Sequence, residues 1–346
     1  MKILYKKHLL LDILLFPLIL ASFVYRCAAA VRRILYKKGI LNSYRSKIPV
    51  ISVGNLTVGG TGKTPTVIYL CNMLKDKKIA VVSRGYGSRG RGIRVVSDGT
   101  RVLCDPDECG DEPLLIAQST RNTAVVVGKN RAVAVQFAEM NYSPDLIILD
   151  DGFSHLRVKR DIDILLIDST AGFGNGHLLP AGPLREPVSV LRYADAVGVK
   201  NGNAPDIPGL GKYDLHDRTY RFHYTLRGIQ SVDNSGSREI KDIKDKRIVA
   251  IAGVAFPESF FHLLRANGIV PVQCIAMPDH HRYGEKELDK LVGRYAPDIV
   301  LSTAKDAVKI QSIRRDRHTA WLYVDMVIEM DERVLKDVFH RKGIPA

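Results

Sequence analysis

Short apolar runs rich in valine and isoleucine recur along the chain after residue 48, and segments of helical character separate them. In the first part of this region the runs cover 49–53, 79–83, 123–127, 146–149, 162–167 and 196–199. Continuous apolar runs are typical of strands buried on both faces, and their alternation with helices is typical of a parallel sheet. We therefore predict an α/β domain over residues 41–220, built around a mostly parallel sheet.

A second series of apolar runs follows a polar segment. Residues 221–246 are rich in polar residues and begin with an alternating pattern, which predicts linker strands. Further runs at 248–252, 271–275, 299–302 and 321–324 predict strands, and 258–267 predicts a helix that Gly268 closes. We expect a second, smaller α/β domain over residues 247–346.

The N-terminus has a different pattern. Residues 9–24 are almost wholly apolar, interrupted by Asp12 and Pro17. Sixteen helical residues span about 24 Å, which is less than the roughly 30 Å of a hydrocarbon core. We predict a membrane-anchoring helix within residues 1–40, either shallowly inserted or spanning, with a secretory signal peptide as the alternative. Basic residues on both flanks leave its orientation open.

Charge changes this picture in one respect. The chain carries 51 Lys and Arg against 37 Asp and Glu, a net charge of +14, and much of the excess lies in residues 1–48. A basic segment beside an apolar run is typical of contact with an anionic membrane surface. No basic helix or repeat of aromatic and basic residues occurs elsewhere, so we predict no nucleic-acid partner. The five scattered cysteines, Cys104 and Cys109 among them, predict reduced thiols and not a metal site.

A glycine-rich loop follows the first predicted strand. The segment GNLTVGGTGKTP occupies 54–65 and ends in the Gly-Lys-Thr of a phosphate-binding loop, although Thr57 stands where the strict pattern has glycine. Backbone N–H groups and Lys63 would hold phosphates there, and the Thr64 hydroxyl would hold Mg²⁺. A glycine-rich turn without nucleotide is the alternative. The predicted ATP-binding residues are Thr57, Val58, Gly59, Gly60, Thr61, Gly62, Lys63, Thr64 and Pro65.

Acidic and basic residues at other loops are candidates for the remaining chemistry. Asp150 and Asp151 follow the run at 146–149, where a carboxylate at a strand end can bind Mg²⁺. Three more polar segments look catalytic, at 110–113, 176–187 and 279–283; for Asp111 in the first, capping of a helix is the alternative. The loop at 84–94 carries four arginines and suits either an anionic substrate or a solvated surface.

Taken together, these motifs resemble the tetraacyldisaccharide 4'-kinase family of lipid A biosynthesis. The matching stretches run in order from about residue 48 to 310: VGNLTVGGTGKTP, SRGYG, GDEP, LDDGFSH, GNGHLLPAGPLREP, DHHRY and TAKDAVK. The resemblance implies an N-terminal membrane helix and two α/β domains with the active site between them. It also implies that ATP, with Mg²⁺, phosphorylates the 4'-hydroxyl of a tetraacylated glucosamine disaccharide 1-phosphate to give lipid IVA. This alcohol-acceptor phosphotransferase would act at the cytoplasmic face of the inner membrane.

The resemblance also assigns roles residue by residue. It implies that Asp111 is the base, assisted by His280 of the Asp279–His280 pair. The other implied positions are Lys63 and Thr64 on phosphate and Mg²⁺, Asp150 and Asp151 at the metal, Arg185 near the γ-phosphate, and Glu186 as a metal ligand. Separately from the resemblance, we predict that Arg84, Arg89 and Arg131 contact the substrate, with the loop arginines as candidates for its 1-phosphate. Ser154 and Ala304 depart from the family pattern, which commonly has Gln and Glu there, and receive no role.

Two other functions remain open from the sequence. One is a membrane-bound regulatory GTPase or partitioning ATPase, although Val58 replaces the signature lysine of the latter and no complete N-K-x-D motif is present. The other is a binding module in which nucleotide is only structural. Consumption of ATP that depends on lipid would separate the kinase from both.

Overall fold

The computed structural model describes residues 16–88, 90–202, 207–233, 235–313 and 319–344. Strands and helices alternate along most of these ranges, as the apolar runs predict. The helices are α1 (Phe16–Lys37), α2 (Lys63–Met73), α3 (Pro106–Cys109), α4 (Asp111–Ser119), α5 (Arg131–Tyr142), α6 (Pro257–Ala266), α7 (Glu285–Tyr295), α8 (Ala304–Ile310) and α9 (Arg333–Arg341). The strands are β1 (Val50–Asn55), β2 (Ile79–Ser83), β3 (Arg94–Asp98), β4 (Thr123–Val127), β5 (Leu146–Asp150), β6 (Ile162–Asp168), β7 (Ala196–Lys200), β8 (Thr219–Ser231), β9 (Ser237–Arg238), β10 (Ile248–Ala252), β11 (Gln273–Ala276), β12 (Ile299–Thr303) and β13 (Ala320–Met330).

All these strands belong to a single sheet. Its order is β11-β10-β12-β13-β8-β7-β6-β1-β5-β2-β4-β3, and β9 pairs with β8. Neighbours are parallel except at three pairs, β13 with β8, β3 with β4, and β8 with β9, which are antiparallel. The predicted α/β fold with a mostly parallel sheet is confirmed.

The polar segment that predicted linker strands forms the connection between the two series. β8 pairs with β13 from Phe222 to Ser231, with an irregularity between Asp325 and Met326. Because β8 is parallel to β7 and β13 is parallel to β12, this pair reverses the strand direction once. The two α/β series are therefore continuous through one sheet; the domain limits at 220 and 247 remain predictions.

The strands around β1 are buried on both faces. Val50 packs on one face against α5, where Ala134 and Val135 contribute to the same cluster. Ile51 and Val53 belong to the cluster on the other face, which α2 and α4 cover. This two-sided burial is the physical reason that the strands are continuous apolar runs.

Two local features differ from the sequence prediction. The edge strand β3 lies in the segment after the arginine-rich loop, which carried no strand prediction. It is short and antiparallel, with Arg94 and Asp98 at its ends, so it lacks the apolar run of a central strand. The helix predicted at 258–267 begins one residue earlier, at Pro257, and Gly268 follows it with a φ of 73°.

The N-terminal helix α1 contacts the rest of the protein along one side. The Ser22 hydroxyl donates to the carbonyl of Leu178 at 2.7 Å and accepts from the Ala181 N–H at 3.0 Å. The Tyr25 hydroxyl donates to the carbonyl of Arg185 at 3.1 Å. Residues 9–15 of the predicted apolar run lie outside the described residues. Among the helices that the structure does describe, none has the length and apolar character needed to cross a membrane.

Candidate active site

The glycine-rich loop connects the end of β1 to the start of α2. Gly62, directly before the helix, has a φ of 97°, and a Cβ there would lie 2.6 Å from the Tyr224 hydroxyl. Only glycine fits this conformation and this close approach. The Val58 N–H donates to the carbonyl of Pro183 at 2.8 Å, which holds the middle of the loop. The first N–H groups of α2 therefore face an open cleft, where an anion is favoured.

This cleft has a volume of about 1880 Å³ and collects residues from both series of strands. All nine predicted ATP-binding residues, 57–65, line it. Asp150, Asp151 and Arg185 line it from the first series, and Asp279 and His280 line it from the second. The structure thus brings together most of the residues that the motifs predicted.

Asp150 ends β5 and is almost completely buried, with 2% of its surface exposed. Its Oδ2 accepts from the Ser83 hydroxyl at 3.0 Å, whereas its buried Oδ1 has no hydrogen-bond partner among the described residues. Burial, and then the neighbouring carboxylates of Glu112 and Asp151, raise the pKa of Asp150 to about 6. An unpartnered carboxylate oxygen in the cleft that Thr64 also lines fits a hard divalent cation.

Asp151 has the opposite electrostatic environment. Both of its oxygens accept from the Arg185 guanidinium at 2.8 Å, and the Lys63 ammonium lies 3.9 Å from Oδ1. Burial opposes ionisation of Asp151, but the hydrogen bonds from Arg185 and the charge of Lys63 outweigh it and hold the pKa well below the usual value. Arg185 also contacts Asn55, so Asp151 fixes the arginine against the start of the loop.

Asp111 and His280 meet although 169 positions separate them in the sequence. The Nδ1 atom of His280 lies 3.0 Å from each carboxylate oxygen of Asp111. Asp111 is the first residue of α4 and Gly110 occupies the capping position, while Asp111 Oδ1 also accepts from the Glu112 N–H at 2.9 Å. Both residues line a smaller cavity of about 530 Å³, which shares Tyr86 and His280 with the large cleft.

Lys305 contacts His280 and the neighbouring carboxylates, although no sequence motif indicated a role for it. Its ammonium lies 3.1 Å from Glu112 Oε1, 3.3 Å from Asp279 Oδ1 and 3.3 Å from His280 Nε2. An ammonium can only donate, so His280 Nε2 accepts and the imidazole proton is placed on Nδ1, toward Asp111. Lys305 lies in the first turn of α8, whose start is fixed by the Thr303 hydroxyl accepting from the Asp306 N–H.

Two lysines face the Asp111 carboxylate. The Lys305 and Lys309 ammonium groups lie 3.9 Å and 3.7 Å from Asp111 Oδ2. Burial raises the pKa of Asp111, but the His280 hydrogen bond and these cations outweigh burial and lower it overall. Burial lowers the pKa of His280, but Asp111 raises it overall while Lys305 opposes protonation.

Comparison with known proteins agrees with this geometry. The family model of tetraacyldisaccharide-1-P 4'-kinases matches residues 12–343. The chain belongs to this family. The resemblance that the motifs indicated is therefore confirmed over nearly the whole length.

Individual relatives of the family are similar at comparable levels. The tetraacyldisaccharide 4'-kinase of Geobacter metallireducens is 39% identical over 297 residues, covering 84% of this chain and 86% of the relative. That of Geobacter sulfurreducens is 40% identical over 302 residues, covering 85% and 84%. A crystal structure of LpxK from Aquifex aeolicus in complex with ATP has a TM-score of 0.78 and 30% identity, covering 96% of this chain and 99% of that one.

Several residues that the family resemblance singled out have other contacts here. Glu186 does not line the cleft; it pairs with Arg33 of α1 at 3.2 Å, so the structure does not support it as a metal ligand. The Arg131 guanidinium is buried and donates to the carbonyl of Asp150 at 2.9 Å. It therefore supports the end of β5, and burial lowers its pKa to about 10.

The arginine-rich loop is only partly available to a substrate. Arg84 is exposed and lines the cleft. Arg94 instead donates to the carbonyl of Glu108, and Arg89 lies outside the described residues. Substrate binding by Arg84, Arg89 and Arg131 remains a prediction.

The contacts of Lys305 generate a prediction about pH. Its positive charge disfavours protonation of both Asp111 and His280, so Lys305→Met should raise the pKa of the pair. We expect the acidic limb of kcat/KM to move to higher pH by about one unit. Lys305→Arg keeps the charge and should leave that limb in place even if the rate falls.

The measurement is the pH dependence of kcat/KM for the unchanged chain, for Lys305→Met and for Lys305→Arg. Lys336→Met removes an exposed lysine that pairs with Glu332 at 2.7 Å and should change nothing. A loss of rate in Lys305→Met without any shift of the limb would mean that Lys305 is only structural.

Proposed function

We propose that this chain transfers the γ-phosphate of ATP to the 4'-hydroxyl of a tetraacylated glucosamine disaccharide 1-phosphate, with Asp111 as the base. The product would be lipid IVA, a late intermediate of lipid A biosynthesis. The observation that carries the proposal is the position of the Asp111–His280 pair, whose histidine lines the same cleft as Lys63 and Thr64. Nucleotide phosphates and an acceptor hydroxyl can therefore meet there.

The phosphate end of the cleft would hold ATP. The N–H groups at the start of α2 and the Lys63 ammonium face the phosphates, and Arg185 adds a second cation beside Asp151. Phosphoryl transfer mainly needs positioning and neutralisation of charge, which these groups supply.

The acceptor hydroxyl would reach Asp111 where the two cavities meet, at Tyr86 and His280. As the 4'-oxygen bonds to the γ-phosphorus, the bond to the β–γ bridging oxygen breaks and ADP leaves. The hydroxyl proton passes to the Asp111 carboxylate. His280, whose Nε2 lies against Lys305, donates from Nδ1 and orients that carboxylate.

Mg²⁺ fits the donors at the phosphate end. Thr64 and Asp150 would hold it, because the Asp150 Oδ1 atom is buried and lacks a hydrogen-bond partner in the described structure. When bound, the ion would neutralise charge on the transferring phosphoryl group. Asp151 would support this position through its ion pair with Arg185, whereas Glu186 is engaged by Arg33.

Removal of the base tests the proposed activity. Asp111→Asn keeps the size of the side chain but removes its basicity, so we expect kcat to fall by about 100-fold or more. The assay is transfer of label from γ-labelled ATP to the acylated disaccharide 1-phosphate in detergent micelles. Asp107→Asn is the matched control, since this carboxylate is exposed and lies four positions earlier. Hydrolysis to free phosphate at the same rate without lipid would instead indicate a switch NTPase.

The metal assignment predicts a dependence on pH. Asp150, whose pKa is raised to about 6, becomes protonated as the pH falls through that value and then loses the negative charge that attracts the cation. The Mg²⁺ concentration for half-maximal activity should therefore rise below about pH 6. Asp150→Asn should raise it roughly tenfold or more at neutral pH. Magnesium titrations of the unchanged chain and of Asp150→Asn measure this concentration. If the two values were equal, Mg²⁺ would bind at a site other than Asp150.

We also propose that α1 rests on the inner membrane with the catalytic cleft on the cytoplasmic side. One side of α1 docks on residues 178–185, and the other exposes large apolar side chains, including Phe16, Leu20 and Phe23. Arg26 and Arg32 are also exposed on this helix. An apolar face with basic neighbours suits the interface of an anionic bilayer, where the acylated substrate resides.

Replacement of the apolar face tests this location. The double variant Leu20→Glu/Phe23→Glu should bind vesicles of anionic phospholipid at least about tenfold more weakly, because two carboxylates would enter the interface. Met140→Glu is the control, since Met140 is 83% exposed but lies on α5. Co-sedimentation with vesicles gives the bound fraction. Equal binding by the double variant would show that α1 does not carry the membrane contact.

A further inference from the structure

Two cysteines lie directly before the proposed base. Cys109 is the last residue of the short helix α3, and Cys104 precedes that helix; Gly110 and Asp111 follow. The sulfurs of both approach the same atom, the carbonyl oxygen of Asp105, at 3.0 Å from Cys109 and 3.6 Å from Cys104. The turn therefore brings together the only two cysteines of this segment.

The two thiols differ in access. Cys109 is completely buried in the main apolar cluster, whereas Cys104 is half-buried beside exposed Val102 and Leu103. Contact with Cys109 lowers the pKa of Cys104, although burial and the Glu108 carboxylate oppose this effect. The same contact and burial raise the pKa of Cys109. An accessible, more acidic thiol beside a second thiol is the arrangement of a nucleophilic and a resolving cysteine.

We propose that Cys104 and Cys109 form a reversible intramolecular disulfide that inactivates the kinase by displacing Asp111. The oxidant is a small disulfide such as oxidised glutathione. The Cys104 thiolate attacks one of its sulfurs and releases one thiolate. Cys109 then loses its proton and attacks Cys104, which releases the second. Two protein thiols are thereby oxidised to one disulfide, and one small disulfide is reduced to two thiols.

The position of Gly110 couples this bond to the base. Gly110 has a φ of 92° and lies against the backbone of Gly85 and Tyr86, and it is the single residue between Cys109 and Asp111. A disulfide requires the sulfurs to approach to about 2.05 Å, well inside non-bonded contact. The resulting shift of Cys109 moves Asp111 relative to His280, now 3.0 Å away. Misplacement of a reacting group by about 1 Å can cost roughly 100-fold in rate.

Cys274 provides a control within the same chain. It is half-buried and also contacts an arginine, with Arg265 Nη2 3.7 Å from its sulfur. Burial raises the pKa of Cys274, in contrast to Cys104. It lies on β11, away from the Cys104–Cys109 turn. With the same oxidant, Cys274 can give only a mixed disulfide that adds glutathione.

The test exposes the full chain in detergent micelles to oxidised glutathione and maps the cysteines by mass spectrometry after alkylation. We expect the peptide with both cysteines to lose two hydrogens and to resist alkylation. Cys109→Ala should trap Cys104 as a stable mixed disulfide. Transfer of label to the lipid should fall roughly 10- to 100-fold on oxidation and recover with dithiothreitol. The Cys104→Ser variant should keep its kinase activity in oxidised glutathione. The Cys274→Ser variant should lose and regain activity as the unchanged chain does.

Three results would overturn the proposal. The first is alkylation of both cysteines after oxidation, and the second is a mixed disulfide on Cys104 that persists while Cys109 is present. The third is a disulfide that leaves kinase activity unchanged. The activity measurement rests on the proposed role of Asp111, whereas peptide mapping does not. If the unoxidised chain lacked lipid phosphorylation, the proposed function would fail while mapping would still report on the disulfide.

Discussion

The antiparallel pairing of β8 with β13 joins two parallel sections of sheet that run in opposite directions. In each section the functional side chains follow the carboxyl ends of the strands, as is usual in α/β proteins. Lys63 follows β1 and Asp150 ends β5, whereas His280 and Lys305 follow β11 and β12. Without this pairing, nothing in the local sequence would bring the second group to the first. The contact between His280 and Asp111 is thus a consequence of how two long strands pair.

The electrostatics of the cleft divide the roles of its carboxylates. Asp150 and Asp151 are adjacent in sequence, yet burial raises the pKa of one and Arg185 lowers that of the other. The partner of each side chain decides this difference: Asp151 receives two hydrogen bonds from a guanidinium, and Asp150 receives one from a hydroxyl. Environments that separate the pKa values of neighbouring acids are typical of sites in which each acid has its own task. Asp151 is a fixed anion, and Asp150 is the oxygen donor open to a cation.

Much of this arrangement follows from patterns that are local in the sequence. The apolar runs identify most of the central strands because burial on both faces excludes polar residues from them. The glycine-rich loop and the acids after β5 are recognisable because phosphate and metal sites need those residue types at a strand end. The short edge strand β3 lacks such a pattern, since an edge position does not demand an apolar run.

Contacts between distant segments could not be predicted in this way. The roles of Lys305 and Asn55 depend on which loops meet, and a single lysine or asparagine carries no periodic pattern. The family resemblance implied that Glu186 is a metal ligand, and in the structure Arg33 of α1 pairs with it. Arg131 was predicted toward the substrate, and its buried guanidinium donates to the backbone carbonyls of Gly128 and Asp150.

The segment at 176–187 links the surface helix to the chemistry. Its residue Arg185 contacts Asp151 and Asn55 through the guanidinium, while its backbone carbonyl accepts from Tyr25 of α1. The next residue, Glu186, pairs with Arg33 of the same helix. The helix that carries the exposed apolar side chains is therefore connected to the Asp151 carboxylate through one residue, Arg185, which contacts both. If α1 rests on a membrane as proposed, this connection would hold the phosphate end of the cleft at a fixed distance from the bilayer surface.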